Sequence, residues 1–257
     1  MNLHDKAQFI ADDVIRVCVK NGAGHIAPSL SSVDLLVALY YDAMKEGDKL
    51  IFSKAHGAYA LYAILKDIGK IKEEDWENFY KGSFLSGCIE RSPEHGIEAG
   101  TGALGHGLPM AVGMAFANKI LGKPEHTYCI VGDGELQEGS NWEAMGFAAT
   151  HKLDNLTLIV DNNKLQAMDF TDKVITTPFH ENGLMTKIIV FGFDVHDCDG
   201  HDLNQIVHLL NNKRKIAPET RKPQCLFANT IKGYRLKCAE NVPKFHFRVP
   251  TEEELKT

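Results

Sequence analysis

The stretch from residue 127 to residue 163 constrains the fold more than any other part of this 257-residue chain. Four pieces follow one another in it: an apolar run at 128–131, Gly132-Asp133-Gly134, a helical pattern at 138–151, and a second apolar run at 156–160. Apolar runs of this length and β-branched content are typical of buried strands. Strand, glycine-rich turn, helix and strand make a βαβ unit, whose crossover is right-handed and whose strands are parallel. The chain is therefore predicted to form an α/β fold around a parallel sheet.

Polar residues follow both strands of this unit, and their positions meet at the carboxyl edge of a parallel sheet, where open α/β sheets bind ligands. Asp133 offers a carboxylate and Asn163 an amide carbonyl, and such oxygens suit Mg²⁺ together with phosphate oxygens. Gly132 and Gly134 let the backbone approach a phosphate closely. The pattern predicts a metal–diphosphate site, whereas a plain turn and a polar strand end would explain each half taken alone.

These residues resemble a known family. Gly132-Asp133-Gly134 followed at this distance by Asn162-Asn163 is similar to the thiamine-diphosphate motif, and GDGELQEGSNWEAM resembles the transketolase family. Further matching segments are GHIAPSLSSVDLLVALY at 24–40, FSKAHGAYALYAIL at 52–65, GIEAGTGALGHGLPMAVGMA at 96–115, and the end at 228–246. The resemblance covers only the family's first domain. It implies a three-layer thiamine-diphosphate-binding fold with a mainly parallel sheet flanked by helices, a single diphosphate-binding domain over 1–257, and the amino-terminal subunit of a split enzyme.

The resemblance also implies roles for particular residues. The implied catalytic residues are four histidines: His25, His56, His106 and His246. The implied metal ligands are Asp133, Asn163 and the backbone carbonyl of Leu165. The implied cofactor-binding residues are His56, Gly102, Ala103, Leu104, Gly132, Asp133, Gly134, Glu138, Asn163 and His246. Apart from the resemblance, a lone loop histidine such as His25 is ordinarily solvated, and Glu138 is an ordinary first-turn glutamate favoured by the helix dipole.

Three positions depart from the family pattern. Cys88 stands where a substrate-facing histidine of a Gly-His-Pro motif is common, and Phe247 stands where the family often has glycine after the histidine. Met168-Asp169 replaces a common Asp-Gly. The first two departures point to an unusual substrate, and the third to a reshaped loop that keeps the metal site.

The implied cofactors are thiamine diphosphate and Mg²⁺, or Ca²⁺ or Mn²⁺ in its place. Thiamine diphosphate supplies carbanion chemistry, and the resemblance implies transfer of a two-carbon ketol unit from a ketose or ketose phosphate to an aldehyde. In the family, the glutamate that activates the cofactor belongs to a pyrimidine-binding domain, which no segment here resembles. We therefore expect a heterotetramer that contains a separate carboxy-terminal subunit. Two alternatives are a 2-oxo acid decarboxylating carboligase resembling deoxyxylulose-phosphate synthase, and a non-catalytic cofactor-binding or scaffold subunit.

The composition excludes other classes of partner. A formal charge of −6, from 28 basic and 34 acidic residues, argues against a nucleic-acid binder. No apolar run is long enough to span a bilayer, and the first residues lack a secretory pattern. The six cysteines form no paired motif, which suits a reducing cytoplasm. The expected partners are therefore small sugars and the second subunit, with neither nucleic acid nor membrane.

The rest of the chain shows alternating helical and strand patterns. Helices are predicted at 3–20, 33–44, 73–81 and 109–121, for about ten residues after Gly57, and from about 202. Strands are predicted at 49–53, 188–191 with a continuation to 195, and 224–230. The glycine-rich segment 83–107 has no clear periodicity and is predicted to be a long functional loop.

Overall fold

The computed structural model describes residues 1–167, 169–174, 183–212 and 221–256, in which five parallel strands form the sheet. The strands are β1 (Lys49–Phe52), β2 (Thr127–Gly132), β3 (Leu156–Asn162), β4 (Asp194–Asp199) and β5 (Gln224–Asn229), hydrogen-bonded in the order β1-β2-β3-β5-β4. Every pairing is parallel, and Gly132 lies opposite Asp161 while Asn162 lies opposite Asn229. The polar strand ends therefore meet at one edge, as predicted for parallel strands.

Helices cover both faces of this sheet. In chain order they are α1 (Leu3–Asn21), α2 (Ile26–Leu30), α3 (Val33–Ala38), α4 (Ala58–Asp67), α5 (Glu73–Glu77), α6 (Gly107–Ile120), α7 (Gly139–Thr150), α8 (Thr171–Val174), α9 (Gly183–Val190) and α10 (Leu203–Asn212). Alternate strand residues face opposite layers. Ile130 and Ile159 join the core that contains α1 to α4 and α10, whereas Val131 and Val160 join the core beneath α6, α7 and α9. The three-layer α/β fold with a parallel sheet is confirmed.

The prediction of a strand at 188–191 is wrong. Ile188 is buried within α9, whereas Ile189 and Val190 are largely exposed and Gly192 ends the helix with a φ of +96°. The edge strand β4 follows at Asp194–Asp199, and Cys198 is its one buried residue. Because β4 packs only one side chain fully into the core, its sequence is polar and shows no apolar strand pattern.

Several helix ends also differ from the prediction. The pattern at 33–44 forms α3 followed by a π-helical turn, Leu39–Ala43, and the surface helix at 73 ends at Glu77. A 3₁₀ turn, Gly134–Gln137, precedes α7. Met168, one of the departures from the family pattern, lies outside the described residues. In the described ranges we find no helix with the length and apolar character needed to cross a membrane.

Candidate active site at the carboxyl edge of the sheet

The turn after β3 closes onto the Gly-Asp-Gly segment. The backbone N–H of Lys164 donates to Asp133 Oδ2 at 2.5 Å, and the N–H of Leu165 donates to Asn163 Oδ1 at 3.1 Å. Asp133, Asn163 and Leu165 are each no more than 5% exposed. The structure thus brings the three residues predicted as metal ligands to one buried turn.

The chemistry of this turn fits a hard cation. Burial, reinforced by the nearby Asp161 carboxylate, raises the pKa of Asp133 to about 7, so a cation beside it would stabilise the charged form. A carboxylate, an amide oxygen and a backbone carbonyl are the donor types that Mg²⁺, Ca²⁺ and Mn²⁺ accept. Within the part of the chain that the structure describes, no group of three or more His, Cys, Asp or Glu side chains is placed to hold a metal.

A buried ion pair lies directly behind the turn. Lys54 Nζ donates to Asp161 Oδ2 at 2.5 Å, and both side chains are at most 1% exposed. The hydroxyls of Ser31 and Ser32 donate to the same oxygen at 2.8 and 2.7 Å. Burial alone would raise the pKa of Asp161, but the Lys54 ammonium and the hydrogen bonds hold it well below its usual range. Asp161 is therefore a buried anion with a fixed set of donors.

Three of the four predicted catalytic histidines form a cluster. The ring centroids of His25, His56 and His246 are 5.2 to 5.9 Å apart. Burial, with the nearby lysine charges, lowers the pKa of His25 to about 4 and that of His246 to about 3, and lowers that of His56 well below its ordinary value. All three are therefore neutral near pH 7, and each has one N–H donor and one acceptor nitrogen. His25 Nδ1 is buried and has no hydrogen-bond partner among the described residues.

Lys232 is a residue of this site that the sequence analysis did not single out. Its ammonium donates to His246 Nδ1 at 2.8 Å and to the carbonyls of Leu165 and Gln166 at 3.4 and 3.3 Å. Burial and the charge of Lys54 lower the pKa of Lys232 to about 8, so it is largely a cation at pH 7. Lys232 therefore links the histidine cluster to the turn after β3 and offers a positive charge to an anion. The only available signal was its place in the 228–246 segment just after β5.

Glu135 is a second residue of this kind. Its side chain is 3% exposed and accepts hydrogen bonds from Ser53 Oγ, from the N–H of Gly105 at 3.0 Å and from the N–H of Gly132 at 3.3 Å. Burial raises its pKa. Glu135 thus ties the end of β1, the 101–107 loop and the Gly-Asp-Gly turn together.

The loop that carries the other predicted cofactor contacts lies at the rim. Gly102, Ala103 and Leu104 are exposed, and so are His106 and Glu138. His106 precedes α6. The ring contacts of the histidine cluster join His25, His56 and His246 and do not include His106. A Cβ added at Gly105 would lie 2.6 Å from the Cβ of Glu138, so Glu138 borders this loop. These rim residues are open to a second molecule.

The two departures from the family pattern also lie at the rim. Phe247 is 56% exposed, and its ring stands edge-on to His25 with centroids 4.7 Å apart. Cys88 is exposed, and its Cβ would lie 3.7 Å from a Cβ added at Gly102. Both side chains therefore border groups predicted to meet cofactor or substrate.

Fold and site together define an α/β protein with a buried polar turn at the carboxyl edge of a parallel sheet, beside a cluster of neutral histidines. A family model described as "Transketolase, thiamine diphosphate binding domain" matches residues 10–256. The chain belongs to this transketolase family. The match confirms the expected thiamine-diphosphate-binding domain.

Relatives of known name support the same placement. The chain is 40% identical over 266 residues to an apulose-4-phosphate transketolase subunit of Actinobacillus succinogenes, covering 99% of this chain and 93% of that one. It is 34% identical to "6-deoxy-6-sulfo-D-fructose transketolase subunit SqwG" of Clostridium sp. (strain MSTE9), covering 100% of this chain and 94% of that one. These relatives are transketolase subunits of similar length. They confirm the prediction of a split transketolase-type transferase subunit over that of a decarboxylating carboligase.

Solved transketolases share the fold. The transketolase from Campylobacter jejuni superposes with a TM-score of 0.85 at 30% identity, covering 99% of this chain and 42% of that one. The transketolase from Leishmania mexicana gives a TM-score of 0.90 at 24% identity, covering 99% and 40%. The chain thus spans about two fifths of the length of these solved transketolases.

Proposed function

We propose that this chain, as a single diphosphate-binding domain over residues 1–257, holds thiamine diphosphate and a divalent cation in an enzyme that transfers a two-carbon ketol unit from a ketose to an aldehyde. The observation that carries the proposal is the meeting of three features at one sheet edge. They are the Asp133–Asn163–Leu165 turn, the Lys232 ammonium and the cluster of neutral histidines. This edge of the sheet can bind an anion and a hard cation beside a substrate that exchanges protons.

The turn after β3 would hold the cation. Asp133 would supply a carboxylate oxygen, Asn163 its amide oxygen and Leu165 its backbone carbonyl to Mg²⁺, or to Ca²⁺ or Mn²⁺. Remaining cofactor contacts would come from the following residues: His56, Gly102, Ala103, Leu104, Gly132, Gly134, Glu138 and His246. Lys232 would add a positive charge that favours the diphosphate. When bound, thiamine diphosphate supplies the carbanion-stabilising chemistry of ketol transfer.

The histidines would manage protons on the sugar hydroxyls. His25, His56 and His246 are neutral near pH 7, so each ring has one N–H that donates a hydrogen bond and one nitrogen that accepts one. His25 Nδ1 is buried and lacks a protein partner among the described residues, so its hydrogen-bonding capacity remains for a bound ligand. His106, at the rim, would act on the substrate from outside this cluster.

A second polypeptide would complete the site. The rim residues Leu104 and Glu138 are exposed, and relatives that are themselves named as transketolase subunits support a partner. We propose that the partner is a carboxy-terminal transketolase subunit with the pyrimidine-binding domain, and that the assembly is a heterotetramer.

Relatives named for a phosphorylated and a sulfonated sugar support an anionic ketose as the substrate. The six cysteines form no paired motif in the sequence, which supports a reducing, cytoplasmic setting.

The test is a ketol-transfer assay of the chain with and without the carboxy-terminal subunit. We expect activity only from the pair, lost in H25A and H56A and unchanged in K119A, a variant of an exposed residue far from the cluster in sequence. Turnover by the purified chain alone would contradict the split-enzyme proposal. Full activity of H25A and H56A would instead favour the non-catalytic scaffold.

The Asp133→Ala variant tests the metal site separately. We expect D133A to lose Mg²⁺-dependent binding of thiamine diphosphate in the complex, because the carboxylate is the one charged ligand of the proposed set. Retained affinity would show that the cation lies elsewhere.

A further inference from the structure

The proposed metal site depends on which end of one amide faces the cation. Of the two ends of the Asn163 side chain, only Oδ1 can bind a metal, since the NH₂ group has no acceptor capacity. The two ends have nearly the same size and shape, so packing alone does not select between them. A chemical neighbour has to make the choice.

Asp161 is the neighbour on the NH₂ side, and the Leu165 N–H is the neighbour on the oxygen side. Asn163 Nδ2 donates to Asp161 Oδ1 at 3.2 Å, and Asn163 Oδ1 points away from Asp161 and accepts the N–H of Leu165. An ionised carboxylate can only accept hydrogen bonds, so it favours the NH₂ end and disfavours the oxygen. Thr230 Oγ1 donates to the same carboxylate oxygen, which leaves Asp161 surrounded by donors.

Lys54 and two serines fix the other oxygen of Asp161. The ammonium at 2.5 Å and the hydroxyls of Ser31 and Ser32 occupy the other oxygen, Oδ2. The pair is buried, so water does not compete for these bonds. The carboxylate that accepts the NH₂ group of Asn163 is therefore held in place by Lys54, Ser31 and Ser32.

We infer that Asp161 is a positioning residue for the proposed metal site: it holds the NH₂ end of Asn163 and thereby presents the amide oxygen of Asn163 to the cation. This inference rests on the proposed function, since it concerns the cation of that site. It adds to the site a residue outside the predicted metal ligands. The same hydrogen-bond network connects Lys54, which lies two residues before His56, to the turn after β3.

The D161N substitution makes the native orientation of the Asn163 amide unfavourable. Lys54 and the two serine hydroxyls require the amide oxygen at position 161 on their side, so the new NH₂ group faces the NH₂ of Asn163. Two donors then oppose each other, so the Asn163 amide loses the acceptor for its NH₂ end and only the Leu165 N–H still favours the native orientation. We expect the affinity of the two-subunit complex for Mg²⁺, in the presence of thiamine diphosphate, to fall by about 10- to 100-fold, the usual effect of losing an outer-shell partner.

A second variant background, N163D, separates the effect of side-chain orientation at position 163 from a general loss of structure. In N163D the side chain at position 163 is a carboxylate with two equivalent oxygens, so its orientation no longer matters. N163D also places two carboxylates in contact, so we expect D161N not to weaken Mg²⁺ binding when it is added to N163D, a double-mutant cycle with strong coupling. The matched control is S32A, which removes one donor from Oδ2 and leaves the contact with Asn163, and it should retain the wild-type affinity within about threefold.

Affinities are measured by calorimetry with Mg²⁺ and by electron paramagnetic resonance with Mn²⁺, after circular dichroism has shown that each variant is folded. An equal loss from D161N in both backgrounds, or no loss beside Asn163, overturns the inference. A wild-type complex that binds neither ion overturns the proposed function instead, which keeps the two failures distinct.

If D161N does not fold, the wild-type chain supplies the deciding measurement. With ¹⁵N-labelled asparagine, the Asn163 NH₂ should exchange its protons slowly before and after Mg²⁺ is added, because Asp161 holds it in both states. Exchange as fast as that of the exposed Asn212 would overturn the inference.

Discussion

Lys232 donates a hydrogen bond to Nδ1 of His246 across 2.8 Å, so the neutral His246 ring carries its proton on Nε2. The same ammonium and the burial of the ring lower the pKa of His246 to about 3. Burial and a lysine together therefore keep a predicted catalytic histidine neutral, and the lysine fixes its tautomer. This is a relationship between segments 14 positions apart that share one edge of the sheet.

We predict that K232M raises the pKa of His246 and lets its proton move to Nδ1. The reason is that the substitution removes a nearby like charge and the donor to Nδ1 while the ring stays buried. Nuclear magnetic resonance of ¹⁵N-labelled histidine reports both changes. K119M, which removes an exposed cation, should leave the His246 signals in place, and an unchanged His246 spectrum in K232M would refute the prediction.

The Lys54–Asp161 pair should dominate local stability. We predict that K54M lowers the free energy of unfolding by about 3–5 kcal/mol, because it leaves a carboxylate buried without its counter-ion. The double variant K54M/D161N should lose less than K54M alone. Urea denaturation followed by circular dichroism measures both.

An exposed ion pair is the matched comparison. Lys119 and Asp154 are 3.2 Å apart with side chains 31% and 40% exposed, and K119M should cost less than about 1 kcal/mol. Equal losses for K54M and K119M would show that the buried pair has no special weight.

Acid should destabilise the isolated chain through its buried histidines. The pKa of His25 is lowered to about 4 and that of His246 to about 3, whereas an unfolded histidine titrates near 6.5. Between these values the unfolded chain binds more protons than the folded one, so the free energy of unfolding falls as the pH drops from about 6.5 towards 4. We predict a smaller slope in H25Q over this window and an unchanged slope in H4Q, at an exposed position of α1.

Thermal unfolding at successive pH values measures these slopes. A slope for H25Q equal to that of the wild type would mean that His25 is already protonated in the folded chain at mildly acidic pH. That result would also remove His25 as a neutral proton acceptor.

We expect Glu135 to hold the 101–107 loop in place. We predict that E135A destabilises the chain by about 2–4 kcal/mol, because it leaves Ser53 and the N–H groups of Gly105 and Gly132 without an acceptor. E135Q keeps one acceptor oxygen and should lose less. Limited proteolysis would show cleavage of the 101–107 loop in E135A before the rest of the chain, and a loop as resistant as that of the wild type would contradict this role.

The sequence predicted the local βαβ unit and the residues at its strand ends, because hydrophobic period and turn residues determine these over short distances. Asp133, Asn163 and Leu165 come together as expected. The strand at 188–191 was misplaced because a short apolar run suits either a helix or a strand. The run at 188–191 lies at the carboxyl end of α9, which ends at Val190. The polar edge strand β4 lacks an apolar pattern.

Long-range partners could not be predicted in this way. Lys232 meets His246 and Glu135 meets Gly105 only after the sheet has formed, and neither residue has a distinctive spacing. Asp161 likewise gains its role from Lys54, 107 positions earlier. His106 and Glu138 stay at the rim, so the roles expected for them remain predictions.

The most direct test of the central claim is calorimetry of thiamine diphosphate with Mg²⁺, using this chain alone and then with the carboxy-terminal subunit. We predict weak or no binding to the chain alone and tight, Mg²⁺-dependent binding to the pair, because this chain holds the diphosphate and the partner would complete the site. No binding to the pair, or equally tight binding to the chain alone, would contradict a cofactor site completed by two subunits.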